Sequence, residues 1–436
     1  MSKELIQGAK DVLNANFQSG GYTIPCKGLY PFQWKWDAGF IAIGFAHFDM
    51  EKAKKEINSL LNAQWVNGFI PHIVFHQKSD TYFPGPDFHR ADLSPLSNKD
   101  YASTGMTQPP VIGFTLEKMY EIAVDKKDLL AFIKTNIDKV FENHQYFYNN
   151  RDVHNEGLVY IYHNWESGTD NSPVWDDIWA TMNPPEYAIE RKDTKLIDPS
   201  ERPTTREYDH YLHIIDIAKE HQYNDKKIAE HSPFLVQDPL FNCLLIKSNQ
   251  SLINLYQLIG GNQDKINQLE QWQKKSITAF NHKLFNKELG AYVYYDLRNN
   301  KHINEISSSS FAPLYAGIPS QEQAQILVDT MLRKFGGEDR YLCASYDPES
   351  SKFNPKKYWR GPVWINMNWF LYYGLLDYNY PDVAAQIKAD TIELISTAGF
   401  YEYFNPIKSI YKTEKGGYGG GNFSWTAALY LDLLNA

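Results

Sequence analysis

Apolar residues recur at spacings of three and four along most of this chain, with polar residues filling the positions between them. That period marks helices with one buried face. It predicts helices over Lys3–Asn16, Glu51–Trp65, Val111–Ile122, Lys127–Tyr146, Tyr208–Lys219, Asp238–Leu258, Gln263–Phe280, Gln321–Phe335, Gly361–Leu375, Pro381–Ser396 and Phe423–Leu434. Several neighbours are joined by short polar turns, such as His47–Met50, Ala123–Lys126 and Gly260–Asn262. Short turns make consecutive helices antiparallel partners, and about a dozen helices in successive hairpins predict an all-α fold, a closed (α/α)6 barrel. No sequence motif repeats, so the repeat would be structural only. A solenoid is the rival architecture, but the connections are too irregular for one.

Strand signals are few. Ala291–Tyr295, a turn at Asn299–Asn300, and His302–Ile306 read as a small hairpin, and Leu158–Tyr162 as another strand. Two long segments, 77–110 and 183–206, carry Pro, polar residues and aromatics without helical period. Loops of that length in a compact domain are functional lids or disorder, and the aromatics and prolines favour ordered lids. No linker divides the chain, so residues 1–436 read as a single domain.

Composition narrows the function. The net charge of -9 disfavours a nucleic-acid partner. Aromatics make up 15% of the chain, with 11 Trp and 30 Tyr. Tyr and Trp suit surfaces that are half apolar and half hydrogen-bonding, as in carbohydrate clefts. Three scattered cysteines, Cys26, Cys243 and Cys343, support neither a zinc site nor a disulfide framework and read as buried thiols. Residues 1–10 lack an apolar signal core, and no run of about 18 apolar residues occurs, so a cytoplasmic protein without a membrane span is expected.

Chemistry concentrates in a few segments. Glu166-Ser-Gly-Thr-Asp170-Asn-Ser-Pro-Val-Trp175-Asp176-Asp177 places four carboxylates and an indole around Gly168 and Pro173. This reads as a shaped loop that aims carboxyl groups, because neither a helix nor a strand selects those residues. Carboxyls beside tryptophan suit a sugar site, although an acidic surface turn would have the same composition. Phe32–Asp37 offers Trp34, Trp36 and Asp37, either to stack on and grip a sugar or simply to start a helix. Gln108 precedes two prolines at the mouth of a helix. Tyr358-Trp359-Arg360-Gly-Pro-Val-Trp364 could set Arg360 against a carboxylate, either to aim it or as a plain interhelical ion pair. Glu402 sits among four aromatics in Phe400–Pro406, which favours a functional carboxyl, desolvated or held by a partner. The run Gly416–Gly421 lacks a phosphate-loop pattern and reads as a tight turn before the last helix. His72 and His76 lack the rest of a zinc motif, so His72 reads as a substrate contact or a core position. No GxSxG elbow and no GxGxxG after a strand occurs.

Together these motifs resemble glycoside hydrolase family 63 and its trehalase relatives. ESGTDNSPVWDD, FQWKWDAGF, QPP, ERPT at Glu201–Thr204, YWRGPVWINMNW, FYEYFNP and the late GGGNFSWTAALYLDLL run in order from about residue 32 to 434. The nearest likeness is to the short bacterial members that cleave mannosylglycerate or glucosylglycerate. The resemblance implies an (α/α)6 barrel and inverting hydrolysis of an α-glycosidic bond, with Asp170 as general acid and Glu402 as general base. Together with the local readings it gives the expected substrate contacts: Trp34, Trp36, Asp37, His72, Gln108, Glu166, Gly168, Trp175, Arg202, Tyr358, Trp359, Arg360, Trp364 and Trp425. The partner is a small carbohydrate, with no metal or cofactor. Thr169 stands where relatives often carry Met or Trp, and 183–206 holds no clear glycerate-binding pattern; both bear on the substrate, not on the chemistry. An inactive sugar-binding protein and a sugar epimerase on the same barrel are the alternatives. Binding needs no acid–base pair, and no histidine pair stands beside the Trp-rich motifs as these acids do.

Overall fold

The computed structural model describes residues 3–436; Met1 and Ser2, included in the expected single domain, lie outside the described residues. Six inner elements form a closed ring. They are the helices Lys35–Ala46, Ile112–Ile122, Pro239–Leu258, Ile365–Asp377 and Ser424–Asn435, with the short 3-10 turns Ser308–Ser310 and Ala312–Leu314 as the remaining member. Each packs on the next, and Ser424–Asn435 returns to Lys35–Ala46 to close the ring. Outer helices Met50–Asn62, Lys126–Asn150, Gln263–Lys283 and Pro381–Ala398 each follow an inner helix and pack on it as a hairpin. Lys3–Asn16 packs outside Ser424–Asn435.

The outer helices carry the legible period because one face meets solvent. Their starts are written in the sequence as caps: Asp49 accepts from the Lys52 N–H, Asp125 from Asp128, and Ser320 forms a reciprocal box with Gln323. The inner Lys35–Ala46 helix was not expected from periodicity, and all twelve of its residues are buried. A helix buried on every side has no polar face to reveal it. Gly44 lets this helix meet Ser424–Asn435 closely: a Cβ there would lie 2.4 Å from the Ala428 Cβ.

Other expectations shift. The Gly361–Leu375 helix begins only at Ile365, since Val363 bridges Ala344 and Phe404 in extended form. Glu51–Trp65 stops at Asn62, and Asp225–His231 is an additional helix. The Leu158–Tyr162 segment makes only a single bridge, Ile161 to Val236. Tyr294–Asp296 pairs with Lys301–Ile303 as expected, and also with Val236–Gln237. Gly417–Gly421 is a strand rather than a turn, antiparallel to Tyr401–Phe404. All three cysteines are buried and free. Among the described residues no helix is long and apolar enough to cross a membrane.

Candidate active site

Inner helices begin at one end of the ring, and their leading residues converge there. Trp34, Trp36 and Asp37 open Lys35–Ala46, Gln108 precedes Ile112–Ile122, Trp364 precedes Ile365–Asp377, and Phe423 and Trp425 open Ser424–Asn435; all line one cleft. The empty space between its walls, counted out to the open mouth, is about 710 Å³. The walls are aromatic. Trp359 and Trp364 stack with centroids 3.8 Å apart, and Trp425 meets Trp36 edge-on at 5.3 Å. Such faces bind the apolar side of a pyranose while polar tips take its hydroxyls.

Asp170 enters on a loop built from its own short bonds. The helix Asn164–Ser167 ends at Gly168, whose φ is +78°. A Cβ on Gly168 would lie 2.5 Å from the Trp36 ring, so only glycine lets the loop lie against that indole. Asn164 Nδ2 donates to the Asp170 carbonyl at 2.7 Å. Burial pushes the Asp170 carboxyl up to about 7; Arg202 opposes the rise, the Glu402 charge adds to it, and a Tyr358 hydrogen bond holds it back. A carboxyl at that value retains a proton near neutral pH and can donate it.

Glu402 is presented by a hairpin and is 2% exposed. Its Oε1 accepts from the Tyr30 hydroxyl at 2.9 Å and its Oε2 from the Gly420 N–H at 3.0 Å. Arg202 Nη1 donates to the same Tyr30 oxygen at 3.0 Å. Burial raises the Glu402 carboxyl, while Arg202, the Gly420 N–H and Tyr30 favour its ionised form. The glycines of the partner strand make this approach feasible: a Cβ on Gly419 would lie 2.3 Å from Glu402 Oε2, and its φ is +69°. Asp37 lies beside both carboxyls; burial first, then the Glu402 charge, lift it well above the carboxylate range.

Of the expected residues, Asp170, Glu402, Trp34, Trp36, Asp37, His72, Gln108, Gly168, Arg202, Tyr358, Trp359, Trp364 and Trp425 all line the cleft. His72 is kept neutral by burial and leaves Nδ1 without a protein partner. His76 instead stacks on Tyr22 and bonds Gln33, so the two histidines do not act together. Tyr358 adopts φ +40°, a conformation non-glycine residues seldom take.

Three expected contacts are corrected. Glu166 is fully buried behind the cleft, its oxygens taken by Arg151 and by the Thr107 and Tyr162 N–H groups. Trp175 packs on Phe234 and Tyr294 beneath the loop, donating to the Thr169 carbonyl at 3.1 Å. Arg360 faces away and grips Asp176 with two bonds of 2.9 and 2.7 Å, pinning the end of the acid loop. Its carboxylate partner was anticipated; contact with substrate is not supported by its position.

Sequence reading missed Tyr30, Trp165 and Tyr208 and, apart from Arg202, missed which residues of the two long loops reach the cleft. Thr81, Tyr82 and Phe83 come from 77–110, and Asp193 with Arg202 from 183–206. Arg202 Nε donates to Asp193 at 3.1 Å. The loops themselves were flagged, and Tyr30 stood two residues from a flagged segment; a lone tyrosine carries no pattern of its own.

Comparison with known proteins agrees with this geometry. The family model for the mannosylglycerate hydrolase MGH1-like glycoside hydrolase domain matches residues 30–426. Mannosylglycerate hydrolase of Thermus thermophilus is 38% identical over 97% of this chain and 99% of its own. Glucosylglycerate hydrolase of Mycolicibacterium hassiacum is 32% identical over 93% of this chain and 92% of its own. The crystal structure of a family 63 mannosylglycerate hydrolase from Thermus thermophilus with Tris and D-glycerate superposes with a TM-score of 0.90, at 37% identity, covering 99% of this chain and 100% of that one. Neutral trehalase of Saccharomyces cerevisiae shares the fold, with a TM-score of 0.59 at 15% identity. The chain belongs to the mannosylglycerate hydrolase MGH1-like family of glycoside hydrolases, within glycoside hydrolase family 63.

Proposed function

We propose that the protein hydrolyses the α-glycosidic bond of a small hexosyl glycerate with inversion, Asp170 acting as general acid and Glu402 as general base. The observation that carries this reading is the contrast between two carboxyls in one aromatic cleft. Asp170 is pushed up to about 7 and retains its proton, whereas Glu402 receives donors on both oxygens. Inversion needs that pairing: one carboxyl protonates the departing oxygen while the other takes a proton from water on the opposite face of the sugar. Asp37 and Gln108 would then hold hydroxyls against the Trp36 and Trp359 faces. Arg202 is the one cation among the described lining residues and suits an aglycone that bears a carboxylate. The substrates named for the relatives, mannosylglycerate and glucosylglycerate, are of that kind. Segments 77–110 and 183–206 act as the walls that cover the bound glycoside, and the chain works as one catalytic domain.

Proton NMR of the protein with mannosylglycerate, glucosylglycerate and trehalose tests this, beside an Asp170→Asn control. The β-anomer of the free sugar should appear first with a glycerate glycoside and be absent from the control. Early release of the α-anomer would overturn inversion. Conversion of the substrate to a single isomeric product would instead identify an epimerase.

A further inference from the structure

Glu166 does not touch the cleft, yet it lies four residues before Asp170 on the short helix that launches the acid loop. Its Oε1 accepts from the Thr107 N–H at 3.0 Å and from Arg151 Nη2 at 3.2 Å. Its Oε2 accepts from the Tyr162 N–H at 2.9 Å and from Arg151 Nη1 at 3.0 Å. Arg151 is gripped from its other edge, where Nε donates to Asp225 Oδ1 at 2.5 Å. The Thr107 end matters because the next residue is Gln108, which lines the cleft and whose Oε1 accepts the Trp36 N–H at 3.2 Å. Buried Lys35 reinforces that end, donating to Thr107 Oγ1 and to the Gln108 carbonyl, both at 2.9 Å. The chain Asp225–Arg151–Glu166–Thr107 therefore sutures the acid loop to the segment carrying Gln108.

Stability alone gives little reason for such a pair, since a buried ion pair is often matched or bettered by apolar residues of the same volume. What the forked guanidinium supplies is a fixed angle and distance. We propose that Arg151 and Glu166 are positioning residues for the reaction, holding the acid loop in register with the Gln108 segment so that Asp170 meets the departing oxygen. This inference rests on the reading of Asp170 as the general acid.

A pair of substrates separates positioning from folding. An alkoxide leaving group needs the acid's proton, whereas fluoride departs without one. Arg151→Lys, Asp225→Asn and the paired Arg151→Met/Glu166→Gln variant, which removes both charges together, would be assayed on mannosylglycerate and on α-D-mannosyl fluoride, or on the gluco pair if that is the one turned over. In each variant with a cooperative thermal melt, a displaced acid should lower kcat on the glycoside while the fluoride stays within ~3-fold; the loss should reach at least ~30-fold in the paired variant and be smallest in Asp225→Asn. Equal losses on both substrates, or normal turnover of both by the paired variant, would overturn the inference. Should the paired variant not fold, Arg151→Lys decides by the same ratio, because it keeps the charge and loses the fork. Asp170→Asn run alongside keeps the two readings apart. If it loses the fluoride as fully as the glycoside, the acid assignment fails; if it retains the fluoride while the Arg151 variants lose both alike, the positioning inference alone fails.

Discussion

The two carboxyls proposed as acid and base are mounted in different ways. Asp170 sits on a loop whose neighbours are mostly rings; its carboxyl takes a hydrogen bond from Tyr358 and no backbone N–H beyond its own, while Asn164 holds its carbonyl. Glu402 sits on a strand, with a backbone N–H and a phenol each aimed at a carboxyl oxygen. Burial alone raises any carboxyl; donors decide whether the charge is tolerated after all. The same desolvated cleft raises both carboxyls, and donors on both Glu402 oxygens offset that rise, so the difference lies in backbone geometry more than in the identity of the acid.

The harshest test of that contrast removes each carboxyl in turn. Asp170→Asn and Glu402→Gln should each lower kcat by at least ~100-fold while the melting temperature holds or rises, because a buried charge or an unneeded proton has been removed. Near-normal turnover in either variant, measured with its melt, would break the comparison. Gly419→Ala attacks the Glu402 side: its Cβ would lie 2.3 Å from Glu402 Oε2 and 2.6 Å from the Tyr403 ring, at a φ of +69°. The left-handed backbone costs about 1–2 kcal/mol, and kcat should fall about tenfold through displacement of the base. Steady-state kinetics with a denaturation curve reads both effects.

The pH profile sharpens the comparison further. On the proposed assignment, activity requires Asp170 protonated and Glu402 ionised, so kcat/KM should be bell-shaped, its alkaline limb near the Asp170 value of about 7. Arg202 lowers both carboxyls, so Arg202→Gln should move both limbs to higher pH. The smallest effect is a control. Buried Glu56, held by Thr23 and Gln33 with no cation, is lifted by burial to about 8. For a carboxyl raised on folding, the folded state keeps a proton that the unfolded chain releases. Stability is therefore full below the ordinary carboxyl range and lost progressively as pH climbs through that range toward 8. Glu56→Gln should raise the melting temperature at pH 9 and not at pH 4, leaving the kcat/KM limbs where they were. A moved alkaline limb would assign it to Glu56 and not to Asp170.

The sequence revealed those parts of the molecule that meet solvent on one side. Outer helices such as Met50–Asn62 announce themselves by period and caps, whereas Lys35–Ala46, buried all round, does not. The acid loop and the Glu402 segment were visible because acids among aromatics are chemically unusual. Their partners were not: Tyr30 meets Glu402 across 372 positions and Arg360 meets Asp176 across 184, and no local pattern encodes such pairings. The glycine run shows the same limit from the other side. Its composition permits both a turn and a strand, and side chains are absent because Tyr411, Tyr401, Glu402 and Cys26 lie against Gly416, Gly417, Gly419 and Gly420 in turn.

The close seam between Gly44 and Ala428 has a consequence in time. The two helices it joins stand near opposite ends of the chain, so the ribosome makes one long before the other. At ~5–20 residues per second the interval is on the order of 20–80 s. Throughout it, Lys35–Ala46, with no polar face of its own, lacks the neighbour that completes its cover. The cleft between them thus closes only after Ser424–Asn435 has been made, and a chaperone that shields early apolar helices has a defined interval in which to act on this chain.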